Sequence, residues 1–140
     1  MDRLLDYFTN HPFLAGGLAL MLLVVVAYEM RRHGQGATAI AANDAIRLLN
    51  EGAILVDLRP GNQFKDGHIA GARNIPGDQI AGGAKALEKF SGKTLIMCCD
   101  SGQASGAAVR TLMRAGFKNV FNLRAGLAGW RQDNLPIVKD

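Results

Sequence analysis

Hydrophobic residues form an unbroken stretch in the first thirty positions of this 140-residue chain. Between Pro12 and Tyr28 no charged residue occurs, and the apolar positions follow no amphipathic period. A membrane-spanning helix needs about 17–25 apolar residues, so this stretch is just long enough to cross a bilayer. The pattern predicts one transmembrane helix, with residues 12–28 in contact with lipid and residues 1–33 forming an anchor.

A cleaved signal peptide is the main alternative for the apolar stretch. Such a peptide begins with basic residues and has a small-residue cleavage site close behind its apolar part. Here Asp2 and Asp6 outnumber Arg3, and the nearest candidate site, residues 37–39, lies well beyond the apolar run. A buried helix is a second alternative, but a helix that is apolar all round has little to pack against in a small domain. We therefore favour an uncleaved anchor.

The residues on either side of the apolar stretch predict its orientation. Tyr7 and Tyr28 flank it at positions where amphipathic rings favour the membrane interface, and Arg31 and Arg32 follow directly. The positive-inside rule places the arginine side in the cytoplasm. We therefore expect a single-pass protein, in a bacterial inner membrane, whose C-terminal domain faces the cytoplasm.

After a short linker predicted at residues 33–36, the pattern changes to apolar runs of strand length that alternate with helical spacings. Strands are predicted at residues 53–56, 72–75, 94–98 and 118–122. Two helices are predicted to begin at a capping residue: one runs from Asn43 to Gly52, and the other from Ser105 to Gly116. Shorter helical segments are predicted near Gln63, over 84–90 and over 127–131. This alternation is typical of an α/β domain with a parallel sheet covered on both faces. We place that domain at residues 38–140.

Composition and charge narrow the function further. Residues 1–33 contain three basic and three acidic residues, so the whole net charge of +4 belongs to the domain. Its basic residues form no run and are not interleaved with aromatic residues, so nucleic-acid binding has little support. The three histidines have no ligand spacing with the cysteines, and we predict neither a metal nor another cofactor.

The two cysteines of the chain are adjacent, and they occupy different surroundings. Cys98 ends an apolar run, whereas Cys99 opens a polar loop. The loop continues through Asp100, Ser101, Gly102, Gln103, Ala104 and Ser105. Such a loop at the start of a helix can direct backbone N–H groups at an anion and so favour a thiolate. We predict that Cys99 is a nucleophile and that Cys98 is a buried small hydrophobe.

Three separated motifs resemble the signatures of the rhodanese family, in the family's order. They comprise residues 57–59 with 67–76, residues 96–102, and residues 123–130 with 135–136. The resemblance covers residues 38–140. It implies a five-stranded parallel sheet flanked by helices, here preceded by one transmembrane helix.

The resemblance also implies roles for individual residues. Cys99 would be a sulfurtransferase nucleophile that carries a persulfide, cradled by the backbone of residues 100–105. Asp57, Arg59 and Arg73 would form a structural lock of ion pairs and hydrogen bonds beneath the site.

His68 would likewise be structural rather than a base. The six-residue loop has the length linked to sulfur chemistry in this family, whereas the phosphatase and arsenate-reductase relatives have a longer loop. Phosphatase activity is therefore disfavoured.

The loop departs from the family pattern at Ala104, where many thiosulfate-using relatives have a basic residue. Asp100 adds a negative charge beside Cys99, so a dianion such as thiosulfate is not the expected donor. We expect a neutral persulfide donor or a carrier protein, with a thiol or a protein as the acceptor. Two alternatives stay open: a membrane-tethered module that binds a protein partner with little catalysis, and a redox sensor that uses both cysteines.

Overall fold

A computed structural model of the protein describes the backbone of residues 1–36, 38–81 and 84–139. The chain forms two compact units, Met1–Ala37 and Thr38–Asp140. Ala37, part of the candidate cleavage site, lies outside the described residues.

The first unit consists of two helices. Helix α1 covers Asp2–Asn10 and helix α2 covers Pro12–Gly36. Within α2, Pro12–Met30 has a mean hydropathy of 2.1, none of this stretch is buried, and it is long and apolar enough to cross a membrane. The linker predicted at residues 33–36 is wrong, because α2 continues through it. Glycine lowers helix propensity by only about 1 kcal/mol and keeps its backbone N–H, so it need not end a helix.

The second unit is an α/β domain with a parallel sheet and helices on both faces. Its described strands are β1 (Ala39–Ile40), β2 (Ile54–Asp57), β3 (Arg73–Asn74), β4 (Leu95–Cys98) and β5 (Val120–Leu123). Its helices are α3 (Ala42–Asn50), α4 (Gly61–Asp66), α5 (Gly77–Ala81), α6 (Gln103–Arg114) and α7 (Gly126–Gln132), with a 3₁₀ helix at Ala84–Phe90. The strand order is β1-β5-β4-β2-β3, and each neighbouring pair is parallel. The predicted five-stranded parallel fold is confirmed.

The central strand β4 shows why the sheet is covered on both faces. All four of its residues are buried, and successive side chains of a strand point to opposite faces. Leu95 and Met97 pack in one core cluster with residues of α5, α6 and the 3₁₀ helix. Ile96 and Cys98 pack in a second cluster with residues of α3 and α7.

Two predicted helix caps are wrong. Helix α3 begins after Ala41, so Asn43 lies inside its first turn. Helix α6 begins after Gly102, whose φ of 91° only glycine adopts easily, so Ser105 also lies inside the helix. The Ser105 hydroxyl instead bonds to groups of the cysteine loop and the sheet. Strand β1 and helix α5, two and five residues long, were not predicted because they are too short to show a period.

Candidate active site

The sheet register brings the two candidate site segments together. Asp57, the last residue of β2, lies beside Cys98, the last residue of β4, and the Leu58 N–H donates to the Cys98 carbonyl at 2.8 Å. The chain leaves both strands at the carboxyl edge of the sheet, where ligands bind in parallel α/β folds. The loop that begins at Cys99 therefore faces the segment that contains Arg59.

The Cys99 sulfur is surrounded by hydrogen-bond donors. The Gly102 N–H donates to Cys99 Sγ at 3.0 Å, and the Ser105 N–H donates at 3.4 Å. The Ser105 hydroxyl oxygen lies 3.3 Å from the same sulfur. Because these donors lie in the loop and the first turn of α6, they meet an anion at the positive end of the helix dipole.

The two cysteines are shifted in opposite directions. Burial raises the pKa of Cys99, but hydrogen bonds from the Ser105 hydroxyl and the N–H groups of Ser105, Gly102 and Ser101 together outweigh it, so the pKa is lowered. Burial raises the pKa of Cys98, and the negative charge of Asp57 raises it further. The Cys98 thiol donates to the Cys99 carbonyl oxygen at 3.5 Å. Of the two cysteines, Cys99 is therefore the one whose surroundings favour the thiolate.

Helix α7 holds the cysteine loop from the other side. The Leu127 N–H donates to the Cys99 carbonyl at 2.8 Å, and the Ala128 N–H donates to the Asp100 carbonyl at 3.0 Å. A Cβ atom at Gly126 would collide with the Cys99 carbonyl oxygen, and Gly126 has a φ of 55°. The close approach thus requires glycine, a role that the sequence motif alone did not reveal.

Asp57 and Arg59 form a buried ion pair next to the loop. Arg59 Nη2 lies 2.8 Å from Asp57 Oδ2, and the same nitrogen donates to the Gly67 carbonyl at 2.7 Å. The hydrogen bond with Asp57 raises the pKa of Arg59, against the opposing effect of burial. Asn74 Nδ2 adds a 2.8 Å bond to the Arg59 carbonyl. These contacts fix the Arg59 side chain below the loop.

The other two residues of the predicted structural set make different described contacts. His68 Nδ1 is 2.7 Å from the Phe64 carbonyl oxygen, and its ring stacks on the Phe64 ring with centroids 3.8 Å apart. Arg73 is exposed and places its guanidinium 5.0 Å from the centre of the Phe90 ring. The predicted place of Arg73 in the lock is therefore corrected: its described contact is a cation–π interaction at the edge of the core.

A pocket of about 290 Å³ opens over Cys99. Its lining consists of Leu58, Arg59, Pro60, Gln63, Cys99, Asp100, Ser101 and Ala104. The lining includes a cation, which the sequence interpretation missed because it considered only side chains of the loop. Arg59 Nη1 lies 3.8 Å from Asp100 Oδ1, so it partly offsets that negative charge. Gln103, at the start of α6, is exposed and is not part of this lining.

A second hollow of about 260 Å³ adjoins the first and shares Leu58 and Ala104 with it. Its other lining residues are Gly77, Ile80, Ala107, Ala108 and Thr111, so this side of the site is mainly apolar. Among the residues that the structure describes, no group of three or more His, Cys, Asp or Glu could hold a metal ion.

Asn122 is a further site residue that the sequence interpretation missed. Its side chain on β5 is buried, accepts a hydrogen bond from Ser105 Oγ at 2.5 Å and donates from Nδ2 to the Gly102 carbonyl at 3.0 Å. The signal in the sequence was an amide between Phe121 and Leu123 in an otherwise apolar strand. Buried polar side chains need partners, so such an interruption indicates a polar neighbour.

The domain thus combines a parallel α/β sheet with a cysteine that follows its central strand and accepts hydrogen bonds from backbone N–H groups at its sulfur. The family model for the rhodanese-like domain matches residues 41–133, and the chain belongs to this family. The chain is 34% identical over 141 residues to the uncharacterized protein YibN of Escherichia coli strain K12, covering 99% of each.

Other similar proteins cover the domain. The thiosulfate sulfurtransferase GlpE of Stutzerimonas stutzeri is 32% identical over 92 residues, which are 66% of this chain and 83% of GlpE. The crystal structure of a rhodanese-related protein from Thermoplasma volcanium superimposes with a TM-score of 0.65 at 27% identity, covering 73% of this chain and 98% of that one. The chain thus belongs to a family that includes sulfurtransferases.

Proposed function

We propose that this protein is a sulfurtransferase or sulfane-sulfur carrier that forms a persulfide on Cys99. The observation that carries the proposal is the set of groups that can donate to a Cys99 thiolate: the N–H groups of Gly102 and Ser105, and the Ser105 hydroxyl, whose oxygen lies 3.3 Å from Cys99 Sγ. These donors favour a thiolate, which is the nucleophilic form of cysteine.

The proposed reaction has two half-reactions. In the first, the Cys99 thiolate attacks the sulfane sulfur of a donor, a new S–S bond forms, and the donor's remaining part leaves as an anion with the electron pair of the broken bond. In the second, an acceptor thiolate attacks the outer sulfur of the persulfide. The sulfur atom is transferred and Cys99 leaves as a thiolate, ready for another cycle.

We propose a persulfide or a carrier protein, rather than thiosulfate, as the donor, and a thiol or a protein as the acceptor. Ala104 offers the incoming donor no charge, and Asp100 is negative. Arg59 lines the pocket, but its guanidinium is bound to Asp57 and to the Gly67 carbonyl. The adjoining hollow is mainly apolar. These surroundings favour a donor of low charge over a dianion.

Sulfur loading of two cysteine variants tests the assignment. We expect the intact mass of the protein, after incubation with a persulfide donor, to increase by one sulfur atom in a form that a thiol reductant removes. Cys99→Ala should abolish this increase, and Cys98→Ala should retain it. Loss in the Cys98 variant with retention in the Cys99 variant would overturn the assignment. Failure of the wild type to load would favour the protein-binding module instead.

We further propose that residues 12–28 anchor the protein in a bacterial inner membrane with the domain in the cytoplasm. The unburied apolar part of α2 supports the anchor, and the position of Arg31 and Arg32 after it favours the cytoplasmic orientation by the positive-inside rule. A fluorescent protein fused after Asp140 should fold and fluoresce, and a periplasmic reporter fused there should be silent. The opposite pair of results would reject the orientation. Recovery of a mature chain that begins after residue 33 would identify a signal peptide.

A further inference from the structure

The Ser105 hydroxyl has two neighbours that can accept its single proton. Asn122 Oδ1 lies 2.5 Å from Ser105 Oγ, and Cys99 Sγ lies 3.3 Å from it on another side. The Ser105 and Asn122 side chains are buried, so water does not readily supply a replacement partner. A hydroxyl carries only one donor, and the two acceptors therefore compete for it.

The Asn122 amide can face Ser105 only with its oxygen. Its nitrogen donates to the Gly102 carbonyl at 3.0 Å. A carbonyl can only accept, so a flipped amide would bring two oxygens together at Gly102. Asn122 Oδ1 must then accept the hydrogen bond of the Ser105 hydroxyl. The lone pairs of Ser105 Oγ are left to face Cys99 Sγ. In this arrangement a neutral Cys99 thiol donates to Ser105, which favours the protonated form of Cys99.

We propose that Asn122 is a positioning residue that holds the Ser105 proton away from Cys99 Sγ and releases it only when that sulfur becomes negatively charged. The hydroxyl then rotates from Asn122 Oδ1 to the thiolate, and no bond between heavy atoms has to change. Asn122 thereby limits how strongly the resting site stabilises a thiolate.

In the proposed sulfur transfer, this rotation would stabilise the Cys99 thiolate at the step that forms it. Only this role in catalysis rests on the proposed function. When an acceptor takes the outer sulfur, the electron pair of the broken S–S bond remains on Cys99 Sγ. The Ser105 hydroxyl can then rotate and donate its hydrogen bond to this thiolate. When the sulfur is neutral again in a new persulfide, the Ser105 hydroxyl rotates back and donates to Asn122 Oδ1.

The charged groups around the sulfur are few and can be held constant in the test. Arg59 and Asp100 line the same pocket, and Asp57 is paired with Arg59 behind it. Cys98 is replaced by alanine in the background of the test and so adds no charge. None of these groups is altered by changes at Ser105 or Asn122.

The test is the pH dependence of Cys99 alkylation by iodoacetamide in the full chain, with Cys98→Ala as the background. Asn122→Leu keeps the side-chain shape without an acceptor and should increase the thiolate fraction below the pKa roughly threefold. Ser105→Ala should decrease it about threefold to tenfold. The double variant should match Ser105→Ala alone, because Asn122 acts through the hydroxyl.

The proposal is overturned if Asn122→Leu lowers the thiolate fraction, or if its effect persists without the Ser105 hydroxyl. Should Asn122→Leu fail to fold, the wild-type chain gives the answer by NMR. The side-chain amide resonance of Asn122 should titrate with the pKa of Cys99, and this titration should vanish in Ser105→Ala. A resonance that does not follow Cys99 rejects the proposal. Neither experiment needs sulfur transfer, so its outcome is separate from that of the proposed function.

Discussion

The end of β4 and the first residue of the following loop carry the same side chain in opposite environments. Cys98 is fully buried and packs in the core cluster that contains Trp130. Cys99 is 6% exposed and lines a pocket. Burial disfavours the thiolate at both positions, yet only Cys99 has backbone N–H groups that donate to its sulfur and a hydroxyl within reach of it. The donors, rather than exposure alone, distinguish the surroundings of Cys99 from those of Cys98.

The largest expected effect is the difference in alkylation between the two cysteines. At neutral pH, Cys99 should react at least about 10³-fold faster than Cys98, because the pKa of Cys99 is lowered and that of Cys98 is strongly raised. The alkylation rate of Cys99 should rise with pH and reach its plateau at a lower pH than the rate of an ordinary thiol does. Mass spectrometry of peptides labelled in the folded protein measures both rates.

A Cys99→Ser variant is the control for this comparison. The variant should stay unlabelled until the protein unfolds, when Cys98 becomes accessible. Rapid labelling of Cys98 in the folded variant would show that burial does not protect it.

A smaller but still large effect is expected from Gly126→Ala. The new Cβ would meet the Cys99 carbonyl oxygen, and alanine is strained at a φ of 55°. Left-handed strain costs about 1–2 kcal/mol and overpacking about 1–3 kcal/mol, so we expect a loss of roughly 2–5 kcal/mol in the free energy of unfolding. Urea denaturation measures the loss, and displacement of the loop should also slow the alkylation of Cys99.

Gly61→Ala is the matched control, because its Cβ would meet only Asn74 Oδ1, at 3.7 Å. It should change the free energy of unfolding by less than about 1 kcal/mol. Equal destabilisation by both variants would contradict the specific role of Gly126 under Cys99.

The smallest expected effect is that of a cation added beside Cys99. Ala104→Arg should lower the KM for thiosulfate in sulfur transfer to cyanide. A guanidinium about 5 Å from the donor contributes up to ~3 kcal/mol at an effective dielectric constant near 20. Solvent screening and side-chain ordering reduce this to roughly 1 kcal/mol, a several-fold change.

Ala104→Gln is the control for this last prediction, since it adds a side chain without charge. Activity with a neutral persulfide donor should change little in either variant. Unchanged thiosulfate kinetics in a folded, sulfur-loading Ala104→Arg protein would show that the missing cation does not limit the site.

The sequence predicted the sheet better than it predicted the contacts of the site. The run from Thr94 to Cys98 marks a strand covered on both faces, and its last residues place Cys99 at the carboxyl edge. The position of Arg59 in the pocket depends on the pairing of β2 with β4, a long-range contact that no local pattern encodes. The fit of Gly126 against Cys99 and the bond from Ser105 to Asn122 depend on tertiary packing in the same way.

Strand β1 is the first element of the domain, and its hydrogen bonds connect the N-terminal segment to the rest of the sheet. It pairs only with β5 in the sheet order, where the Asn122 N–H donates to the Thr38 carbonyl and the Arg124 N–H donates to the Ile40 carbonyl. A tension applied to the chain before Thr38 would therefore enter the domain through β1 and its hydrogen bonds with β5. In the anchored protein that we propose, a pull on the N-terminal segment would act on β5, the strand that carries Asn122 and so the proposed control of the Ser105 hydroxyl.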